Sequence, residues 1–179
     1  RQMCIRDRAQ DAYKDLRQKA VDAGRSADDI KIFPVLSPII GETDEEVQKK
    51  YKEIQNLVTI EEALAYLGRY FDHHDFTQYD LDAPFPELGD VGKNSFQSTT
   101  DEIKRRAKEN NLTLREVALE ETTRETPFMG TPEKVAEKII EWVDEQAADG
   151  FVLTPHVLGE LYDDFLNKVI PIPVSYTHL

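Results

Sequence analysis

At 179 residues, with 40% hydrophobic and 32% charged side chains, the chain is long enough for one domain with a buried core and has an ordinary globular composition. A formal net charge of −13 argues against a nucleic-acid or anionic-membrane surface, since both call for clustered Lys and Arg. No apolar run approaches the roughly 20 residues of a membrane-spanning helix, and the single cysteine, Cys4, leaves no intramolecular disulfide and no multi-thiolate zinc site, which fits a reducing, cytoplasmic setting.

The first segment, "RQMCIRDR", and the last, "PVSYTHL", resemble translated sequencing-adapter read-through. Residues 1–7 and 173–179 are therefore expected to be non-native tails around a native stretch of 8–172, and Cys4 and His178 carry no functional reading. From Arg8 to Ala23, Ala12, Tyr13, Leu16, Ala20 and Ala23 recur at helical spacing, and Gly24 suits the position after a helix. "DDIKIFPVLSPIIG" then predicts a short strand over Ile30 to Leu36. Its unbroken apolar character fits a parallel strand covered on both faces, and Pro34 and Pro38 keep it short.

Thr43 and Glu46 form a capping box that opens an amphipathic helix with Val47, Tyr51, Ile54 and Val58 on one stripe. The same signal recurs at Thr59/Glu62, Thr99/Glu102 and Thr113/Glu116 and predicts three more helix starts. Between them, Tyr70 to Phe96 is rich in Asp, Pro, Gly and aromatics with no sustained period. It reads either as a functional lid or as a solvated excursion packed by its own aromatics. Thr131 and Pro132 begin the next helix as N-cap and first residue, with Val135, Ala136, Ile139, Ile140, Val143 and Ala147 as its apolar side. Asp149-Gly150 is a turn, Phe151 to Leu153 a short strand, and Gly159 to Ile170 a last helix. Strands alternating with helices point to βαβ units and a parallel sheet, but two strands alone complete neither a barrel nor an open sheet.

In this order, "GRSADDIKIFPVLSPIIGET", "YDLDAPFPEL", "LTLREVALE", "GTPEKVAEKIIEWVDEQAADGFVL" and "DFLNKVIP" resemble the C-terminal part of the flavin-dependent monooxygenases of the bacterial-luciferase-like superfamily. The branch they resemble acts on nitrilotriacetate, dibenzothiophene sulfone and long-chain alkanes. The resemblance runs from about Tyr13 to Ile172. It implies an α/β fold, the last quarter of a TIM-type (β/α)8 barrel, helix-rich as a fragment, with an insertion at about 59–127. Ile30 to Leu36 would be the seventh strand and Gly150 to Leu153 the eighth. It also implies reduced FMN (FMNH2) as cofactor, O2 as co-substrate, a separate NAD(P)H-dependent flavin reductase as partner, a small organic substrate and a homo-oligomer when full length. The segment that holds the FMN phosphate in such proteins falls before this chain, so no cofactor-binding or catalytic residue is assigned, and the isolated fragment is expected to be inactive.

Because barrel sites lie at the C-terminal ends of strands, Ser37, Pro38 and Ile39, and Thr154, Pro155 and His156, are expected near the mouth. Thr154 and His156 are candidates for the substrate cleft, the imidazole as a hydrogen-bond donor or proton carrier; a surface histidine is the bland alternative. His73 and His74 are further cleft candidates, on the view that the insertion covers the mouth. With Asp75, Asp80 and Asp82 they invite a metal reading, but adjacent histidines diverge and no further ligand is suitably spaced, so no metal is expected. Gly130-Thr131 could attract an anion at a helix start, yet capping accounts for Thr131. Trp142 reads as packing. Two other functions stay open: a deazaflavin-dependent oxidoreductase of the same superfamily, and a non-catalytic acidic α/β interaction module.

Overall fold

The computed structural model describes residues 2–92 and 97–176, so the end of the Tyr70–Phe96 segment and His178 lie outside the described residues. In chain order the elements are α1 (Gln2–Asp22), β1 (Val35–Leu36), β2 (Ile39–Ile40), α2 (Asp44–Gln55), α3 (Ile60–Tyr70), α4 (Gln97–Glu109), α5 (Leu114–Thr122), β3 (Met129–Gly130), α6 (Pro132–Asp144), β4 (Val152–Leu153), α7 (Glu160–Asp164), a π-helical turn (Phe165–Val169) and α8 (Pro171–Tyr176). Two compact units result, residues 1–51 with 126–179, and residues 52–125.

The first unit is built on two parallel strand pairs. Val35 and Leu36 register with Val152 and Leu153, and Ile39 and Ile40 register with Met129 and Gly130. The expected strand is thus shorter than Ile30 to Leu36 in the ladder sense and continues past it with a second partner. Carbonyls of Ile32, Pro34 and Leu36 accept from the amides of Asp149, Val152 and Thr154, whereas Ile39 N–H donates to Phe128. The switch falls at Pro38, whose missing N–H makes it a natural break in a ladder. Leu36, Ile40, Phe128, Val135, Ala136, Trp142, Ala147, Phe165 and Val169 form the core beneath. Trp142 packs at 5.4 Å from Phe128 and 6.2 Å from Phe151, while Val143, expected on the apolar side of α6, is exposed. In the last turn of α6 the indole takes the buried position, while Val135 and Ala136 are buried as expected.

Caps are local and fall largely where expected. Thr131 accepts from the Lys134 amide at 3.5 Å, with Pro132 in the first turn. Thr43 accepts from Glu46 N–H, but the Glu46 carboxylate reaches back to the Glu42 amide at 2.8 Å, one residue before the cap. The α6–β4 turn is locked by Asp149. Its Oδ1 accepts from Tyr13 Oη at 3.0 Å and Arg17 Nη2 at 2.8 Å, and its Oδ2 from Ile32 N–H at 2.8 Å.

In the second unit, α3 and α5 each open on a complete capping box, Thr59/Glu62 and Thr113/Glu116. Helix α4 begins at Gln97, two residues ahead of the Thr99 expected to cap it, and Thr100 Oγ1 donates to the Gln97 carbonyl at 2.9 Å. The core combines Ala63, Leu64, Leu67, Ile103, Leu114, Val117 and Ala118 with Phe71 and Phe76. The segment after α3 is packed by its own aromatics: Phe76 meets Phe71 edge-on at 5.4 Å and lies 5.9 Å from Phe85. Its first turn is tight. The Gly68 carbonyl accepts from both Phe71 and His73 amides, and a Cβ on Gly68 would sit 2.9 Å from the His74 carbonyl oxygen. One carboxylate, Glu121, is fully enclosed between Arg106 and Arg124, which both bond it.

Candidate functional site

Side chains alternate across the β1–β4 ladder, and burial follows the alternation. Leu36 is 1% exposed on the helix-covered face, while Phe33 (52%), Val35 (62%) and Val152 (48%) stand on the opposite face without cover. The expectation of a strand covered on both faces therefore holds for one face only within this chain. Along that open face both strands run from apolar to polar toward their C-terminal ends: Phe33, Val35, Ser37 on one, and Val152, Thr154 on the other.

Ser37 and Thr154 meet there, Oγ to Oγ1 at 3.2 Å. Both backbones are fixed. The Ser37 carbonyl accepts from Thr126 Oγ1 at 2.9 Å, and the Thr154 amide donates to Leu36 at 2.9 Å. Pro38 and Ile39, expected beside Ser37, are buried, and Ile39 joins the second ladder instead of lining the open face. His156, two residues past Thr154, is half-buried; its Nε2 is enclosed and has no hydrogen-bond partner. Burial pushes its pKa below the ordinary value, so the imidazole is neutral at pH 7.

His73 and His74 lie in the other unit. His73 is exposed with φ of 60°, following Asp72 at 55°, two successive non-glycine residues in the left-handed region. His74 is half-buried, its Nε2 2.9 Å from Tyr79 Oη and its ring edge-on to Phe76 at 5.1 Å. Its polar atom is engaged within its own loop. Among the described residues no group of His, Cys, Asp and Glu is arranged to hold a metal ion. At the start of α6, Thr131 is spent on capping, Pro132 has no N–H, and Glu133 adds negative charge, so this terminus has little to offer an anion. No helix among the described residues is long and apolar enough to cross a membrane.

Sequence reasoning missed two things here. The open-face pairing of Ser37 with Thr154 depends on register across more than a hundred residues, and neither hydroxyl carries a local signal. Asp149, read only as a turn residue, anchors three elements through groups that no short motif contains.

Comparison with known proteins accounts for this architecture. The chain is 36% identical over 166 residues to an N-acetyl-S-(2-succino)cysteine monooxygenase of Bacillus subtilis (strain 168), covering 92% of the chain and 38% of the relative. It is 34% identical over 161 residues to nitrilotriacetate monooxygenase component A of Aminobacter aminovorans, covering 89% and 35%. Among solved structures, a riboflavin lyase crystallised with modified FMN and riboflavin superposes with a TM-score of 0.68 at 29% identity, over 96% of this chain and 37% of that one. The chain thus spans little more than a third of the length of these proteins, and its strand pairs and helices are part of a TIM-type barrel, helix-rich in this portion. Residues 5–149 match the luciferase-like monooxygenase family, and the chain belongs to that family.

Proposed function

We propose that this chain is part of an FMNH2-dependent, two-component monooxygenase that uses O2 to oxidise a small organic molecule. The family match over residues 5–149 carries the reading, and the monooxygenase names of the relatives support an oxidoreductase parent. The designation "component A" of the nitrilotriacetate relative supports a division of labour with a separate NAD(P)H-dependent flavin reductase. We place the full-length protein in the cytoplasm as a homo-oligomer.

The residues present fit one part of a flavin site and not another. The open face ends in two hydroxyls, and His156, two residues past Thr154, carries an enclosed imidazole nitrogen without a partner; such polar groups suit the ring or substrate end of a mouth. Among the described residues the helix start at Thr131 offers no phosphate cradle. Bound reduced flavin supplies the electron pair that lets O2 give one atom to the substrate and one to water. The chain's own contribution is to wall and orient. Phe33, Val35 and Val152 exclude water from the space above them, while Ser37, Thr154 and His156 set hydrogen-bonding directions at the rim. His156, neutral through burial, could move a proton without carrying a fixed charge into the cleft. His73 and His74 remain our candidates for substrate contact in the full-length protein, and His74 Nε2 is paired with Tyr79 within its own loop.

The test is isotopic. With the full-length protein, a flavin reductase, NAD(P)H and 18O2, the reading predicts oxygen uptake that depends on the reductase and one labelled atom in the organic product. Uptake that ends only in hydrogen peroxide with every sulfur- or carboxylate-bearing substrate offered, or none at all, would reject it.

A further inference from the structure

We propose that the Ser37–Thr154 hydroxyl pair is a ligand-reading site at the barrel mouth, holding a hydrogen-bond acceptor atom of a bound small molecule. The inference rests on the monooxygenase reading for the identity of that molecule, and on geometry for the site. Three observations carry it. First, the pair ends a face that is otherwise apolar, above Phe33, Val35 and Val152. Valine and alanine at these positions would continue that face, whereas the two hydroxyls put polar atoms at its exposed end. Second, the hydrogen count leaves one donor over. Two hydroxyls 3.2 Å apart spend one proton on each other, so one O–H remains to be directed at an acceptor. Third, the pair is fixed in place, since the Ser37 carbonyl is held by Thr126 and the Thr154 amide by Leu36. A donor whose backbone is already ordered costs little to use in binding.

The acceptor belongs either to the flavin ring or to the organic substrate, and the two are separable. In the full-length protein, Thr154→Val keeps shape without the hydroxyl, Thr154→Ser keeps the hydroxyl, and Ser37→Ala removes its partner. Reduced FMN is titrated anaerobically, then nitrilotriacetate and N-acetyl-S-(2-succino)cysteine are titrated into the loaded protein. The expected result is that Thr154→Val weakens one class of probe by roughly three- to tenfold, the net worth of one hydrogen bond, and leaves the other alone. Thr154→Ser should restore it. A change in reduced FMN assigns the acceptor to the flavin; a change only in an organic probe assigns it to the substrate. Should Thr154→Val fail to fold, Ser37→Ala carries the same expectation. Equal dissociation constants for all three probes in wild type and in the hydroxyl-deleting variants would overturn the proposal, and so would a loss of thermal stability as their only effect. A wild type that binds no reduced FMN would instead overturn the functional reading on which it rests.

Discussion

Replacing Asp149 by Asn tests whether one carboxylate ties α1, the approach to β1 and the α6–β4 turn into a single unit. The side chain is 14% exposed and accepts from Tyr13, Arg17 and the Ile32 amide. An amide has one acceptor end, so in either orientation its NH2 faces a donor that the carboxylate satisfied. Losing a charge-assisted bond to Arg17 costs about 1.5–3 kcal/mol and a neutral one about 1 kcal/mol, which gives about 2–4 kcal/mol for the substitution. The sole tryptophan, Trp142, is buried in the same unit and reports its unfolding by emission. With an m-value of about 1–3 kcal/mol/M, the urea midpoint should fall by roughly 1–2 M at pH 7. The difference should also depend on pH. Burial alone raises the Asp149 pKa, but the Ile32 and Tyr13 hydrogen bonds and the charges of Arg17 and Lys31 outweigh it and hold the carboxyl below its usual range. A depressed folded pKa means the stabilisation is complete above the unfolded value of about 3.9 and fades as pH falls through the folded one. Wild type and Asp149→Asn should therefore converge below about pH 4. A midpoint difference under about 0.3 M at pH 7, or one unchanged down to pH 3, would refute the reasoning.

Three further substitutions concern the second unit. Gly68→Ala should destabilise it even though alanine favours helix by about 1 kcal/mol, because its Cβ would press on the His74 carbonyl at 2.9 Å and overpacking against backbone costs about 1–3 kcal/mol; faster hydrogen exchange in α3 is the readout, and slower exchange would reverse the claim. Glu121→Ala leaves Arg106, 11% exposed, facing a space without its carboxylate, and should cost about 3–5 kcal/mol by denaturant unfolding followed at 222 nm, whereas a loss under about 1 kcal/mol would mean that Glu120 takes over. Thr113→Ala should cost about 1 kcal/mol through loss of the cap on the Glu116 amide, seen as exchange fraying confined to the first turn of α5.

What the sequence made legible was mostly local. Thr59/Glu62, Thr113/Glu116 and Thr131/Pro132 lie within one helical turn of the amides they serve, so their spacing is enough to find them. The strands are a different case. Met129 and Gly130 have no strand-like pattern and are extended because Ile39 and Ile40 pair with them, some ninety residues earlier in the chain. Glu121 follows Glu120 on α5 with no local signal to mark it for burial, and only the arrival of Arg106 from α4 and of Arg124 encloses it. The same limit applies to the candidate site. Barrel topology, implied by resemblance, pointed to Thr154 and Ser37 at strand ends, but their contact and the orphaned His156 nitrogen required coordinates. Pro38 and Ile39, equally near in sequence, turned into the core because the chain changes pairing partner there.

The central claim is that this chain belongs to a protein that works on reduced flavin, while the chain alone lacks the phosphate-holding part of the site. Anaerobic titration with FMNH2 tests both halves in one experiment. Saturable binding by the full-length protein, with no retention by the isolated 179-residue chain, is the predicted result. Stoichiometric retention by the isolated chain, or no binding by the full-length protein, would contradict the account.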